Sequence, residues 1–319
     1  TVASGAALSM SGAITVADAI TLNGTGISNT GALRSTATNK TVSGAITLGS
    51  DSRINSDANT LTLTGGITGT GLALTVGGAG ATTISTTGLN TGDGGSLVKD
   101  GSGTLTIAAA GDYTGSTAVN AGVLAISNAT ALGTTAGGTT VASGAALNIS
   151  GNITVGAEAL TISGTGISNG GALRNTSGTN TFGGAITLNA ASRINSDTAT
   201  LTLSGGISGA QNLTLGGAGS VTVTGVIATD SGNLTKDGSG TAVLSGANTY
   251  DGATTVSVGT LNIRNATALG SAAGGTTVAS GAALSIQNNI VGADEALTLS
   301  GTGVSNGGAL RNISGSNTY

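Results

Sequence analysis

The chain has no cysteine, histidine, proline or tryptophan, and only one Phe, one Met and three Tyr among 319 residues. Without Cys or His there is no thiol nucleophile, no Ser–His–Asp triad, no disulfide framework and no ordinary zinc, haem or iron–sulfur site. No cofactor is therefore expected. Charge is also scarce, at 7 % of residues. The nine basic residues are scattered, so the electrostatic footprint of a nucleic-acid binder is missing. No apolar run approaches the roughly 18 residues of a membrane-spanning helix, and no membrane insertion by this segment is expected. Thr1 opens no charged-then-apolar signal segment. Glycine is abundant, with 59 residues, but it does not recur every third position and proline is absent, which excludes collagen. A mean hydropathy of +0.31 with a net charge of −4 argues against disorder.

What the chain does have is repetition. TVASGAAL occurs at Thr1–Leu8, Thr140–Leu147 and Thr277–Leu284. GALR ends at Arg34, Arg174 and Arg311, and SRINSD runs Ser52–Asp57 and Ser192–Asp197. KDGSG begins at Lys99 and Lys236, and NATALG at Asn128 and Asn265. The blocks divide the chain into repeat units 1–139, 140–276 and a partial 277–319, read as one continuous array. Neither end carries the atypical polar cap of a terminal repeat, so the chain reads as a segment of something longer.

Within each unit the pattern has period two. Ile46-Thr47-Leu48, Leu61-Thr62-Leu63, Leu105-Thr106-Ile107 and Leu201-Thr202-Leu203 alternate apolar and polar between Gly-rich turns. Such runs are half-buried strands, with Leu201 and Leu203 expected inward and Thr202 outward. Helices are disfavoured by the density of Gly and β-branched residues. A sandwich core would hold several large rings, and paired hairpin signals are rare. The expected fold is therefore all-β, a parallel β-helix (β-solenoid) with roughly 20 residues per rung and about seven rungs per unit.

Two stretches, Leu97–Leu124 and Leu234–Leu261, share a longer pattern. The second carries Lys236, Gly238, Gly240, Asn248, Tyr250, Gly252, Thr254, Val256, Gly259 and Leu261. This resembles the passenger-associated repeat of bacterial autotransporters. The resemblance implies a right-handed parallel β-helix on the surface of, or secreted from, a Gram-negative-type cell. It also implies a passenger that crosses the outer membrane unfolded and folds outside.

Few residues suggest chemistry. Polysaccharide-cutting β-helices need clustered carboxylates with a basic partner. Here the 13 acids are spread out, and Asp294-Glu295 is the only adjacent pair. No catalytic, cofactor-binding or metal-binding residue is assigned, and the segment is not expected to be an enzyme. The candidate surface contacts are Arg34, Arg174 and Arg311, which recur at one phase and suit anions or sugars, and Tyr113 and Tyr250, which suit sugar stacking. The alternative for each tyrosine is a cover over a Gly-rich corner with a wet hydroxyl. Lys99-Asp100 and Lys236-Asp237 read as exposed turn charges. Thr-x-Thr runs such as Thr60-Leu61-Thr62 suggest the flat face of an ice-binding solenoid, but along the sequence they are irregular. The leading expectation is a structural or adhesive surface rod, stalk or filament component. Its expected partners are further copies, end to end or side by side, and cell-surface glycans or a host or neighbouring cell. The alternatives are a carbohydrate-binding or carbohydrate-cleaving passenger and, less favoured, an ice-binding solenoid.

Overall fold

The computed structural model describes every residue except Ala293 and Asp294, so half of the Asp294-Glu295 pair lies outside the described residues. Every strand pairing described is parallel, and no α-helix occurs among the described residues. The expected all-β parallel solenoid is the fold. The chain forms two compact units, Thr1–Ile149 and Ser150–Tyr319. Their division at 149/150 does not coincide with the sequence repeat at 139/140.

In the first unit the backbone climbs through three columns of strands. One column stacks Thr15–Val16, Lys40–Val42, Thr60–Leu63, Ala81–Ile84, Thr104–Ile107, Val123–Ile126 and Ala146–Ile149. Its inward line is Val42, Leu63, Ile84, Ile107, Ile126 and Ile149, all buried and all in register. Parallel in-register stacking sets each aliphatic side chain on its like about 4.8 Å away, which fills the core without large rings. A second column stacks Ile20, Ile46, Ile67 and Leu89 in the same way. The 11-residue strand Ile46–Ser56 bends between that column and the third. The third holds Leu33, Ile54, Val76, Lys99, Val119 and Val141 in one inward line.

The second unit repeats the plan. Phe182, Leu203, Val223, Leu244 and Ile263 form one inward line. Leu173, Ile194, Leu215, Lys236, Val256 and Val278 form another. Leu201 and Leu203 are buried and Thr202 between them is half-exposed, as the alternation predicts. Leu201 pairs with Val221, Ala242, Leu261 and Leu284 in succession, at intervals of 20, 21, 19 and 23 residues. Rung length therefore varies while the register in space does not.

Candidate functional site

The GALR and SRINSD blocks meet on one outward face of each unit. In strand Ile46–Ser56 the buried Ser52, Ile54 and Ser56 point inward, so Arg53 and Asn55 point outward. Arg34 lies beside Asn55 in the register. Its Nε and Nη2 both reach Asp57 Oδ2 at 2.7 Å. Asn55 donates to Asp57 Oδ1 and accepts from Arg53 Nη2 at 3.1 Å. Arg53 then grips Asp100 with two bonds of 2.7 Å, Nη1 to Oδ2 and Nη2 to Oδ1. The second unit builds the same chain through Arg174, Asp197, Asn195, Arg193 and Asp237.

The Arg53–Asp100 pair skips a rung. Asn55 pairs with Gly77 on the next rung, and the KDGSG turn that carries Asp100 lies one rung further. A Cβ on Gly77 would collide with Asp100 Oδ1 and Arg53 Nη2. Glycine at 77 thus leaves the channel through which the guanidinium reaches, and Gly216 serves Arg193 and Asp237 likewise.

Lys99 and Lys236 correct the expectation of exposed turn charges. Both are 2 % exposed and stand in the aliphatic inward line. Leu97 and Lys99 share a face because strand side chains alternate, so the L-x-K spacing itself turns the lysine inward. Lys99 Nζ donates to the carbonyls of Asp100, Gly101 and Ala121, at 2.7, 2.8 and 3.0 Å. Lys236 does the same with Asp237, Gly238 and Val258. All three ammonium donors are used, and turns on two successive rungs are tied together. Burial lowers both lysines from 10.5 to about 8, opposed by the neighbouring aspartates.

Tyr113 and Tyr250 are also corrected: both are fully buried, so neither is a surface contact and neither hydroxyl is wet. Each phenol is 2.7 Å from the hydroxyl of the threonine four residues on, Thr117 or Thr254. The rings fill space that glycine leaves; a Cβ on Gly133 would sit 2.8 Å from the Tyr113 ring. Burial raises the Tyr250 phenol well above its ordinary value.

The clamp lysine and aspartate, the tyrosine and its threonine partner all lie within two stretches, and a family signature matches both, at residues 97–126 and 234–263. The signature is that of the passenger-associated-transport-repeat, which both stretches resemble. The repeats and the parallel solenoid together fit an autotransporter passenger domain, a family that points to an extracellular or cell-surface location. No characterised protein and no solved structure matches the chain. Within each matched stretch the Lys and Asp clamp rungs, and the Tyr and Thr pair in the interior. Between the two copies one interior bond changes form. Asn248 donates to the Ala268 carbonyl and accepts from Ile227 N–H, whereas Gly111 stands at that position in the first copy and uses its own N–H on the Thr130 carbonyl.

Of the three recurring arginines, Arg34 and Arg174 stand on strands Leu33–Ser35 and Leu173–Asn175 and are held by Asp57 and Asp197. Each pair remains about one-third exposed. Arg311 lies on Leu310–Ser314 beside Ser285 and has no ion-pair partner among the described residues.

The Thr-x-Thr runs are irregular in space as in sequence, since Thr60 pairs with Ala81 and Thr222 with Val243, but single threonines do line up. Thr15, Thr41, Thr62, Thr83 and Thr106 are successive register partners on the outward face of the first unit. Thr214, Thr235, Thr255, Thr277 and Thr298 form a second row of five in the second unit. Unequal rung lengths hide these rows from a linear reading. An open groove of about 500 Å³ lies along the first row, lined by Thr15, Thr41, Thr60, Thr62 and Asn39. Among the described residues no group of three or more acidic side chains converges.

Proposed function

We propose that this segment is a non-catalytic structural and adhesive part of an autotransporter passenger, displayed outside a Gram-negative-type cell. The observation that carries the reading is the pair of in-register threonine rows on a dry aliphatic stack. A threonine face presents hydroxyls and methyls at a fixed spacing, which suits many weak contacts to glycans or to a neighbouring cell rather than one deep pocket. Further copies of the chain, end to end or side by side, are the other partners this surface and its sheet edges suit. Arg34 and Arg174, partly exposed beside their aspartates, and Arg311 are secondary contacts for sugar hydroxyls or anions.

The test displays the chain on cells and measures adhesion and autoaggregation after replacing Thr62, Thr83 and Thr106 together by Lys. Adhesion should fall while the melting temperature stays close to that of the parent, because outward positions carry little core energy. Unchanged adhesion would move the function away from the row. Turnover of acidic polysaccharides by the purified chain, abolished by one Asp substitution, would overturn the non-catalytic reading. The rows' spacing of about 4.8 Å also supports a second reading, ice binding. Thermal hysteresis that vanishes in the triple-Lys variant would favour it over adhesion.

A further inference from the structure

Beside the first threonine row, the first copy of the repeat departs from the later two. In the second copy Asn152 Oδ1 accepts from Thr179 N–H, and Asn180 Oδ1 accepts from Ile153 N–H. In the third, Asn289 and Asn317 make the same two bonds with Ser316 and Ile290. The first copy has Ala13 and Lys40 at these positions. An amide both donates and accepts, whereas an ammonium only donates and a methyl does neither. Lys40 Nζ takes over the donor role: it bonds the Thr38 carbonyl at 3.0 Å, where Asn180 Nδ2 bonds the Gly178 carbonyl. Nothing takes over the two acceptor roles. Among the described residues neither Ile14 N–H nor Asn39 N–H has a hydrogen-bond partner.

The same exchange opens the surface. Ile14 is exposed, while its counterparts Ile153 and Ile290 are half-buried and buried. The space is the open groove of about 500 Å³, and Ala13, Ile14, Asn39 and Lys40 line it together with the threonines. That is the size of an ordinary small-ligand site. Lys40 is buried, and its Nζ makes only one further bond, to the Thr38 hydroxyl at 3.3 Å. One ammonium proton is left over, and no carboxylate pairs with Lys40 among the described residues. Lys99 and Lys236, by contrast, spend all three protons on carbonyls. The groove therefore joins a buried cation to two unused backbone donors and lacks acceptors, a balance that an oxyanion corrects.

We infer that this groove binds an acidic sugar of the uronate class. Its carboxylate oxygens take the place of the two absent amide oxygens, held by Lys40 Nζ and by the N–H groups of Ile14 and Asn39. Thr15, Thr41, Thr60 and Thr62 offer hydroxyls to the sugar's own, and the exposed Ile14 side chain offers a surface to its C–H face. The inference rests on the adhesive reading above and narrows it: the open first copy recognises a charged glycan residue, and the copies closed by asparagine do not.

The experiment titrates the isotope-labelled full chain with sodium glucuronate, glucose and inorganic phosphate at constant ionic strength, and follows the amide resonances. Glucuronate should shift Ile14 and Asn39 saturably and leave Ile153 and Thr179 unmoved, and glucose should shift none of them. Lys40→Met should weaken glucuronate binding at least about tenfold, the loss of one charge-assisted hydrogen bond. Ala13→Asn with Lys40→Asn rebuilds the closed form of the later copies; it should abolish binding without lowering the melting temperature. No shift with glucuronate, equal shifts with glucose, a response to phosphate alone, or unchanged affinity in the closed variant would each overturn the site. Displayed on cells, a closed variant that adheres like the parent removes this site and leaves the threonine rows standing. A triple-lysine variant that adheres like the parent, in a chain that binds glucuronate, does the reverse.

Discussion

Replacing Gly77 by Ala tests the rung-skipping clamp. The added methyl enters the space where Arg53 Nη2 and Asp100 Oδ1 meet, so the two side-chain ends must part to admit it. Gly77 does not adopt the positive φ that penalises side chains, so the cost is steric and electrostatic. Overpacking by one methyl costs about 1–3 kcal/mol. Loss of the two charge-assisted bonds adds to this, because the Arg53 side chain is only 12 % exposed and its charge would be left poorly solvated. Asp100 is one-third exposed, so water recovers part of that term. About 3 kcal/mol in all is expected, read from the shift of the urea midpoint at constant slope. In an Arg53→Met background the clamp is already gone, and Gly77→Ala should then cost about 1 kcal/mol. The difference between backgrounds is the coupling energy of a double-mutant cycle. Equal costs in the two backgrounds would refute the reasoning and leave a generic glycine effect.

Three further expectations follow from the interior. Leu201→Asp should destabilise the second unit by several kcal/mol, since it buries an unpaired charge in the aliphatic line, while Thr202→Asp should cost less than about 1 kcal/mol; thermal melts decide. Tyr113→Phe should cost about 1 kcal/mol by leaving the Thr117 hydroxyl without its short partner, with hydrogen exchange accelerating most around Thr117–Val119. Lys99 and Lys236 titrate near 8 in the folded chain and near 10.5 when unfolded. Between those values the unfolded chain binds more protons, so stability should rise as pH increases across the window. That rise should be absent in a Lys99→Met, Lys236→Met double variant.

Much of the fold was legible because the alternation in runs such as Leu201-Thr202-Leu203 is local and is set by burial alone. The interior lysines were legible in principle, since Leu97-Val98-Lys99 puts the lysine on the leucine's face. The expectation that charge seeks water outweighed the period. Lys40 is also buried, in the first unit, bonded to the Thr38 carbonyl, where the second unit has Asn180. Nothing local marks the Arg53–Asp100 pair, whose members are 47 residues apart and joined only by the rung count. The same rung count conceals the threonine rows, whose members recur at steps of 26, 21, 21 and 23 residues in the first unit. The tyrosines were misread because glycines far along the chain make their pockets.

The register on which both the solenoid and its threonine face depend can be measured by cross-linking, and the absence of native cysteine leaves no background. Thr62 and Thr83 are direct partners, about 4.8 Å apart across neighbouring rungs. Thr62 and Ala81 are offset by two residues, about 7–8 Å apart and beyond comfortable disulfide reach. Cysteines at 62 and 83 should therefore form a disulfide readily under mild oxidation, and cysteines at 62 and 81 should stay largely reduced. Preferential cross-linking of 62 with 81, or of neither pair in a folded chain, would contradict the stacked register.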